Sequence, residues 1–298
     1  MNEARLEQIV NAVLYEGYIL YPYRPSSKKN RRERFTFGRV YPEAYSIAQK
    51  SAEPCLMQTE CLVVTASETT ALNISVRFLQ PIAREIGVLE EPVVNWNGKE
   101  PFRLVPELRV GDALFQTWHE AAERRVAAPS LRLGRPDSQR LRVQFHYPSA
   151  RSLEPIRDGA SAVGVILRRQ ADLEGTIEIA AHPLDSGLFK ITVRVLNQTP
   201  VPEADAKDPE AILLRTLAST HTILQVQNGA LVSLLEPAAE HQQAAAACQN
   251  IGTWPVLVGD EAKRERDTLL SSPIILYDYP QIAPESAGPL FDGTEIDE

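Results

Sequence analysis

Four stretches of the chain alternate apolar and polar residues with the period of two that a half-buried β-strand requires. In ALNISVRFL, Leu72, Ile74, Val76 and Phe78 fall on one face and Asn73, Ser75 and Arg77 on the other. LRVQFHY sets Leu141, Val143, Phe145 and Tyr147 against Arg142, Gln144 and His146. TIEIA and FKITVRV alternate in the same way, with Phe189, Ile191, Val193 and Val195 inward and Lys190, Thr192 and Arg194 outward. HPLDSG between them supplies turn residues, so the pattern predicts a hairpin over 176–196. HTILQVQNGALVSLL predicts a second hairpin turning on Asn228-Gly229.

Helical spacing is rarer. Leu6, Ile9, Val10, Val13 and Leu14 form one apolar face of an N-terminal helix, which Gly17, Pro22 and Pro25 prevent from continuing. Asp208 is a good N-cap with Pro209 at the first helical position, predicting a short helix that buries Ile212, Leu213 and Leu217. PAAEHQQAAAACQ is helical by propensity, and the last thirty residues hold one apolar strand and then an irregular acidic tail. Strands joined by proline-rich connections, with few helices between them, predict a mainly β (α+β) fold. The expected form is an antiparallel β-sandwich or barrel-like domain with a few helices and long irregular terminal segments. Residues 1–57 are then an N-terminal helix and basic, aromatic-rich segment, 58–200 the β-domain, and 201–298 a helix, hairpin and acidic tail packed on the same domain.

Composition narrows the function classes. The 298 residues carry a net charge of −8, which argues against nucleic-acid binding by bulk charge. No apolar run reaches the roughly 18 residues of a membrane helix, and MNEARLEQIV does not read as a signal peptide. Three cysteines are too few for a disulfide scaffold, so the expected location is the cytoplasm. The average hides an asymmetry. Arg24, Lys28, Lys29, Arg31, Arg32, Arg34 and Arg39 stand against Glu33 near the start, whereas from Leu276 onward there are six acids and no Lys or Arg. Tyr21, Tyr23, Phe35 and Phe37 interleave with the arginines, a composition suited to interface anchors. A solvated loop, a docking surface for an acidic partner or for the chain's own tail, and a phosphate or nucleic-acid site all fit that segment.

Catalytic and metal signatures are weak. Cys55 and Cys61 in CLMQTEC are too widely spaced for an ordinary zinc pair and have only Cys248 as a further thiol. The five histidines show no HxH or HExxH spacing, there is no GxSxG elbow, and no glycine-rich phosphate loop exists. Trp118-His119-Glu120 would point its neighbours to opposite strand faces. Gly164, inside AVGVIL, reads as a packing or bulge glycine.

The ends of the chain carry a resemblance. ILYPYRPSSKKNRRERFTFGRVYPEAY with MQTECLV, and LLSSPIILYDYPQIAPESAGPLFDGTEIDE, resemble the two hallmarks of an uncharacterised bacterial family. That family is encoded among accessory genes of nickel–iron hydrogenases, chiefly the oxygen-tolerant, actinobacterial-type uptake enzymes. The matching positions are Tyr21, Pro22, Tyr23, Arg24, Pro25, Asn30, Phe37 and Gly38; Gln58, Thr59, Glu60 and Cys61; and Tyr277, Asp278, Tyr279, Pro280, Glu285, Phe291, Asp292 and Gly293. The resemblance assigns none of them a catalytic role. What it implies is a non-enzymatic accessory or assembly protein, partnered by hydrogenase subunits or maturation factors. Tyr21, Tyr23, Arg24, Asn30, Arg31, Arg32, Phe37, Gln58, Glu60, Asp278, Tyr279 and Asp292 would form its recognition surface, with Arg24 able to pair with Asp278 or Asp292. Self-association stays open. The alternatives are a metal- or cluster-handling protein using Cys55 and Cys61, and an enzyme or small-ligand binder with a pocket inside the sandwich.

Overall fold

A computed structural model describes residues 7–8, 35, 37–50, 53–133, 138–185 and 187–280. Along the chain run α1 (Glu43–Ala48), β1 (Leu56–Thr65), β2 (Ala71–Val93), β3 (Phe102–Val105), β4 (Glu107–Val110), β5 (Ala113–Gln116) and β6 (Trp118–Ala127). Next come β7 (Leu131–Arg132), β8 (Gln139–Tyr147), β9 (Ala150–Asp158), β10 (Ser161–Gln170), β11 (Leu173–Asp185) and β12 (Leu188–Asn197). The remainder is α2 (Pro209–Leu213), β13 (Ala218–Gln227), β14 (Gly229–Leu231), α3 (Gln242–Ala246), β15 (Trp254–Leu257) and β16 (Thr268–Ser272). Glu7 and Gln8 are helical, and the rest of the expected N-terminal helix lies outside the described residues.

One antiparallel sheet has the order β14-β1-β12-β11-β8. The second runs β15-β16-β13-β2-β10-β9, with β3, β6 and β7 also paired to β2. The alternating stretches supply the facing surfaces, as their pattern demands. Leu72, Ile74, Val76 and Phe78 from the second sheet meet Phe145, Ile177, Phe189, Ile191, Val193 and Val195 from the first in one apolar core. Phe78, Phe145 and Tyr147 pack as an aromatic trio with centroids 5.6–6.1 Å apart. The fold is therefore a mainly β sandwich with a few short helices. Its sheets draw on strands from both 58–200 and 201–298, which interleave.

The 23-residue β2 is the spine. β13 pairs with its residues up to Leu79 and β10 from Ala83 onward, while β6 spans Ser75 to Arg84 and so must lie along the opposite edge. Pro81 has no N–H to donate, and it falls in the gap between β13 and β10, where no ladder bond is lost. Beyond it, Ile86, Ile156 and Ile166 build a satellite core with Val105, Leu108 and Phe115. A Cβ on Gly164 would lie 2.4 Å from Leu108 Cδ2, and the β10 register shifts between Ala162 and Gly164, so this glycine serves both packing and a bulge.

The hairpin over 176–196 forms as β11 and β12. The expected hairpin at Asn228-Gly229 does not. Asn228 adopts a φ of 53°, but β14 pairs with Val63–Thr65 of β1, so the turn carries the chain from one sheet to the other. The Asp208 cap accepts from the Glu210 N–H at 3.0 Å, as expected, yet α2 stops at Leu213. Leu217 is buried beyond it, bonded in both directions to Val40. The alanine-rich stretch shortens to a 3-10 turn and α3. The last described strand is β16, before PIILYDY rather than within it; Ile275 and Tyr277 are exposed.

Candidate functional site: a basic sheet face

On the outer face of the first sheet, every second residue of β12, β11 and β8 points away from the core, and the register aligns them in rows. Gln58, Arg194, Glu178 and Arg142 make one row across β1, β12, β11 and β8. Glu60, Thr192, Ala180 and Arg140 make the next. Ala180 and Thr192 are small, which leaves a depression of about 450 Å³ whose walls include Arg140, Arg142, Glu178 and Arg194. Arg140 and Arg142 are two residues apart on one strand, about 7 Å, and Arg194 stands two strands over, about 10 Å from Arg142.

The β1 side of this face is covered. Gln58 exchanges backbone hydrogen bonds with Ile251, and its side chain donates to Gln249 O at 2.8 Å and accepts from Arg194 Nε at 2.7 Å. Glu60 accepts from Thr192 Oγ1 at 2.9 Å and the Gln249 N–H at 2.8 Å, and pairs with Lys190 Nζ at 3.3 Å. Its charge is spent inside the fold. Across the face, Glu178 sits between Arg194 and Arg142 and lies only 3.8 Å from Arg142 Nε, a loose pair. Arg140 has no charged partner among the described residues. Four basic residues thus face Glu60 and Glu178. Such an array can hold an anion or carboxylates by charge-assisted hydrogen bonds.

The other expected site residues are dispersed. Tyr21, Tyr23, Arg24, Asn30, Arg31, Arg32 and Asp292 lie outside the described residues. Phe37 and Gly38 dock on the start of β13, where the Ser219 and Thr220 N–H groups donate to their carbonyls at 3.1 and 3.2 Å. Asp278 accepts from Ser233 Oγ at 2.5 Å and the Leu257 N–H at 2.7 Å, and the Tyr279 N–H donates to Leu257 O. Gln58, Glu60 and Asp278 are therefore bonded within the fold. Cys55 and Cys61 are six residues apart along one extended stretch, about 20 Å, too far to share a metal ion. Burial pushes the Cys61 thiol well up, helped by Cys248 and Glu60, and burial also pushes Cys248 up to about 11. Among the described residues no group of three His, Cys, Asp or Glu side chains could hold a metal ion. Trp118, His119 and Glu120 go separate ways: the Arg84 guanidinium lies 5.4 Å from the Trp118 ring, His119 lies 3.5 Å from Glu210, and Glu120 bridges Arg84 and Arg168.

A second cavity, of about 660 Å³, opens outside the sandwich between β9–β10 and the segment around α2. Two of its arginines are already paired, Arg169 with Glu85 at 2.6 Å and Arg215 with Asp205 at 2.8 Å. The space between the sheets, in contrast, is filled by apolar side chains.

Arg140 and Glu178 were not singled out by the sequence. Their only signal was outward alternation, which marks a solvated face as readily as a site. Comparison with protein-family models and with curated proteins finds no match. Among the described residues no helix is long and apolar enough to cross a membrane.

Proposed function

We propose that the chain is a non-enzymatic, cytoplasmic accessory protein that docks an acidic partner protein on the outer face of β8, β11 and β12. The observation that carries this reading is the array of Arg140, Arg142 and Arg194 around a depression floored by Ala180 and Thr192, in a protein whose net charge is −8. Local positive charge on an acidic molecule favours a specific partner over indiscriminate binding of anions. Three of the groups that could do acid–base or nucleophilic work, His221, Cys61 and Glu60, are buried and committed to packing or internal hydrogen bonds, which supports the non-catalytic reading. The resemblance of the two ends supports a hydrogenase-linked pathway, with a hydrogenase subunit or maturation factor as the partner.

The test is affinity purification from the native host with the wild type and with Arg140→Glu/Arg194→Glu, both checked for the same thermal melt. The double variant should lose the co-purifying protein. Capture of the same protein in the same yield would refute the reading.

A further inference from the structure

A strand at the edge of a sheet exposes a row of unpaired N–H and C=O groups, and proteins usually cover or disrupt it. Most edges here are managed. On β1, Gln58 pairs with Ile251, the Glu60 N–H donates to Asn250 Oδ1 at 2.7 Å, and β14 takes the rest. On β15, Pro255 has no N–H, while Leu257 is capped by Asp278 and Tyr279. β9 carries Pro155 opposite Val165. β6 likewise pairs with one strand alone, but its charged side chains are committed within its own sheet: Glu123 to Arg77, Glu120 to Arg84 and Arg168, and Arg124 to Gln80 and Gln170.

β8 also pairs with a single strand, β11, and among the described residues no strand lies along its other side. Unlike the charged residues of β6, its outward Arg140 has no charged partner among the described residues and Arg142 only a loose one. Its inward residues Leu141, Val143 and Tyr147 pack against the core yet stay half-buried, the mark of a core incompletely covered at that edge. Its outward residues Arg140 and Arg142 face solvent beside the depression.

We propose that β8 receives an extended segment of the partner protein as an added strand, and that this segment alternates acidic and apolar residues. The inference rests on the docking reading above and names its chemistry. Side chains of neighbouring strands oppose each other at about 5 Å, so acids at every second position of the guest would stand against Arg140 and Arg142. The intervening residues would then lie beside Leu141, Val143 and Tyr147 and complete their burial, which demands aliphatic side chains. A wholly acidic guest would leave charge against the apolar edge, and a wholly apolar one would leave the arginines unmatched.

The probe is a fluorescein-labelled, acetylated eight-residue peptide of alternating Asp and Val, titrated by fluorescence anisotropy with the full chain in low salt. Arg140→Gln/Arg142→Gln should weaken binding at least ten-fold, as should replacing every Asp of the peptide by Asn. Methylating the backbone nitrogen of every second peptide residue, in each of the two registers, removes ladder donors without changing charge. One of the two methylated peptides should lose at least ten-fold. Equal binding by both methylated peptides, or by the Asn peptide, would overturn the inference. Loss of partner capture by Arg140→Glu/Arg194→Glu, with no binding of the alternating peptide, would overturn strand addition and leave the docking reading standing.

Discussion

His221 makes stability depend on pH in a way that can be worked out from its surroundings. Its Nδ1 lies 2.7 Å from the Ser219 carbonyl, which can only accept, so Nδ1 carries the proton. Nε2 is then left to accept from the Ser272 hydroxyl at 3.3 Å, and the neutral ring is satisfied in a fully buried site. Burial drives the pKa down from 6.5 to about 4; the Ser219 bond opposes the shift and the Arg77 charge adds to it. Because the folded-state pKa lies below that of the unfolded chain, the contribution is complete above about pH 6.5 and is lost as pH falls toward 4. At pH 5 the unfolded chain has taken up nearly a full proton and the native chain only a small fraction, a loss of about 2 kcal/mol. Urea unfolding at pH 7.5 and 5.0, on the wild type and on His221→Gln, isolates this group from the carboxylates that titrate in both. The wild type should lose about 2 kcal/mol more than the variant over that interval. Equal losses would refute the assignment of a neutral, buried His221.

Other sites give further expectations. Asp278→Ala frees the Leu257 N–H and the Ser233 hydroxyl at the β15 edge, so it should cost about 1–3 kcal/mol and raise light scattering on heating; an unchanged melt and scattering would contradict the capping role. Gly38→Ala puts a Cβ 2.5 Å from Pro273 Cγ at a φ of 55°, and should cost about 1–3 kcal/mol in urea unfolding, whereas a neutral substitution would show that the segment does not dock as described. Thiol labelling of the native protein at pH 8 should proceed slowest at Cys61, which is fully buried, and faster at the half-buried Cys55; mapping the labelled peptides by mass spectrometry would expose the reverse order.

The strands were legible where one face is buried, because period-two alternation is the direct imprint of that burial. Phe189 to Val195 and Leu72 to Phe78 lie in the core on the faces their spacing predicts. Alternation alone misses cover applied from outside the sheet. Arg77, on the outward face of β2, is 3% exposed because Glu123 and Glu7 fold over it. Register was not legible at all: Arg142, Glu178 and Arg194 align through pairings between separate strands, and no local pattern encodes which strand neighbours which. The family-like positions show the same limit. Gln58, Glu60 and Asp278 stand out in the sequence as polar residues among apolar ones, yet their bonds close sheet edges and a covered cluster. Polar residues that cap a strand edge and polar residues that greet a partner look alike until the edges are known.

The docking face can be tested most directly by placing a photo-crosslinking residue at Gln144, exposed on β8, and in a second variant at Arg157, exposed on β9 of the other sheet. Irradiation in the native host should give a protein adduct from position 144 that disappears when Arg140→Glu/Arg194→Glu is added, and none from position 157. An adduct from 157 with none from 144 would place the partner on the opposite sheet and contradict the account.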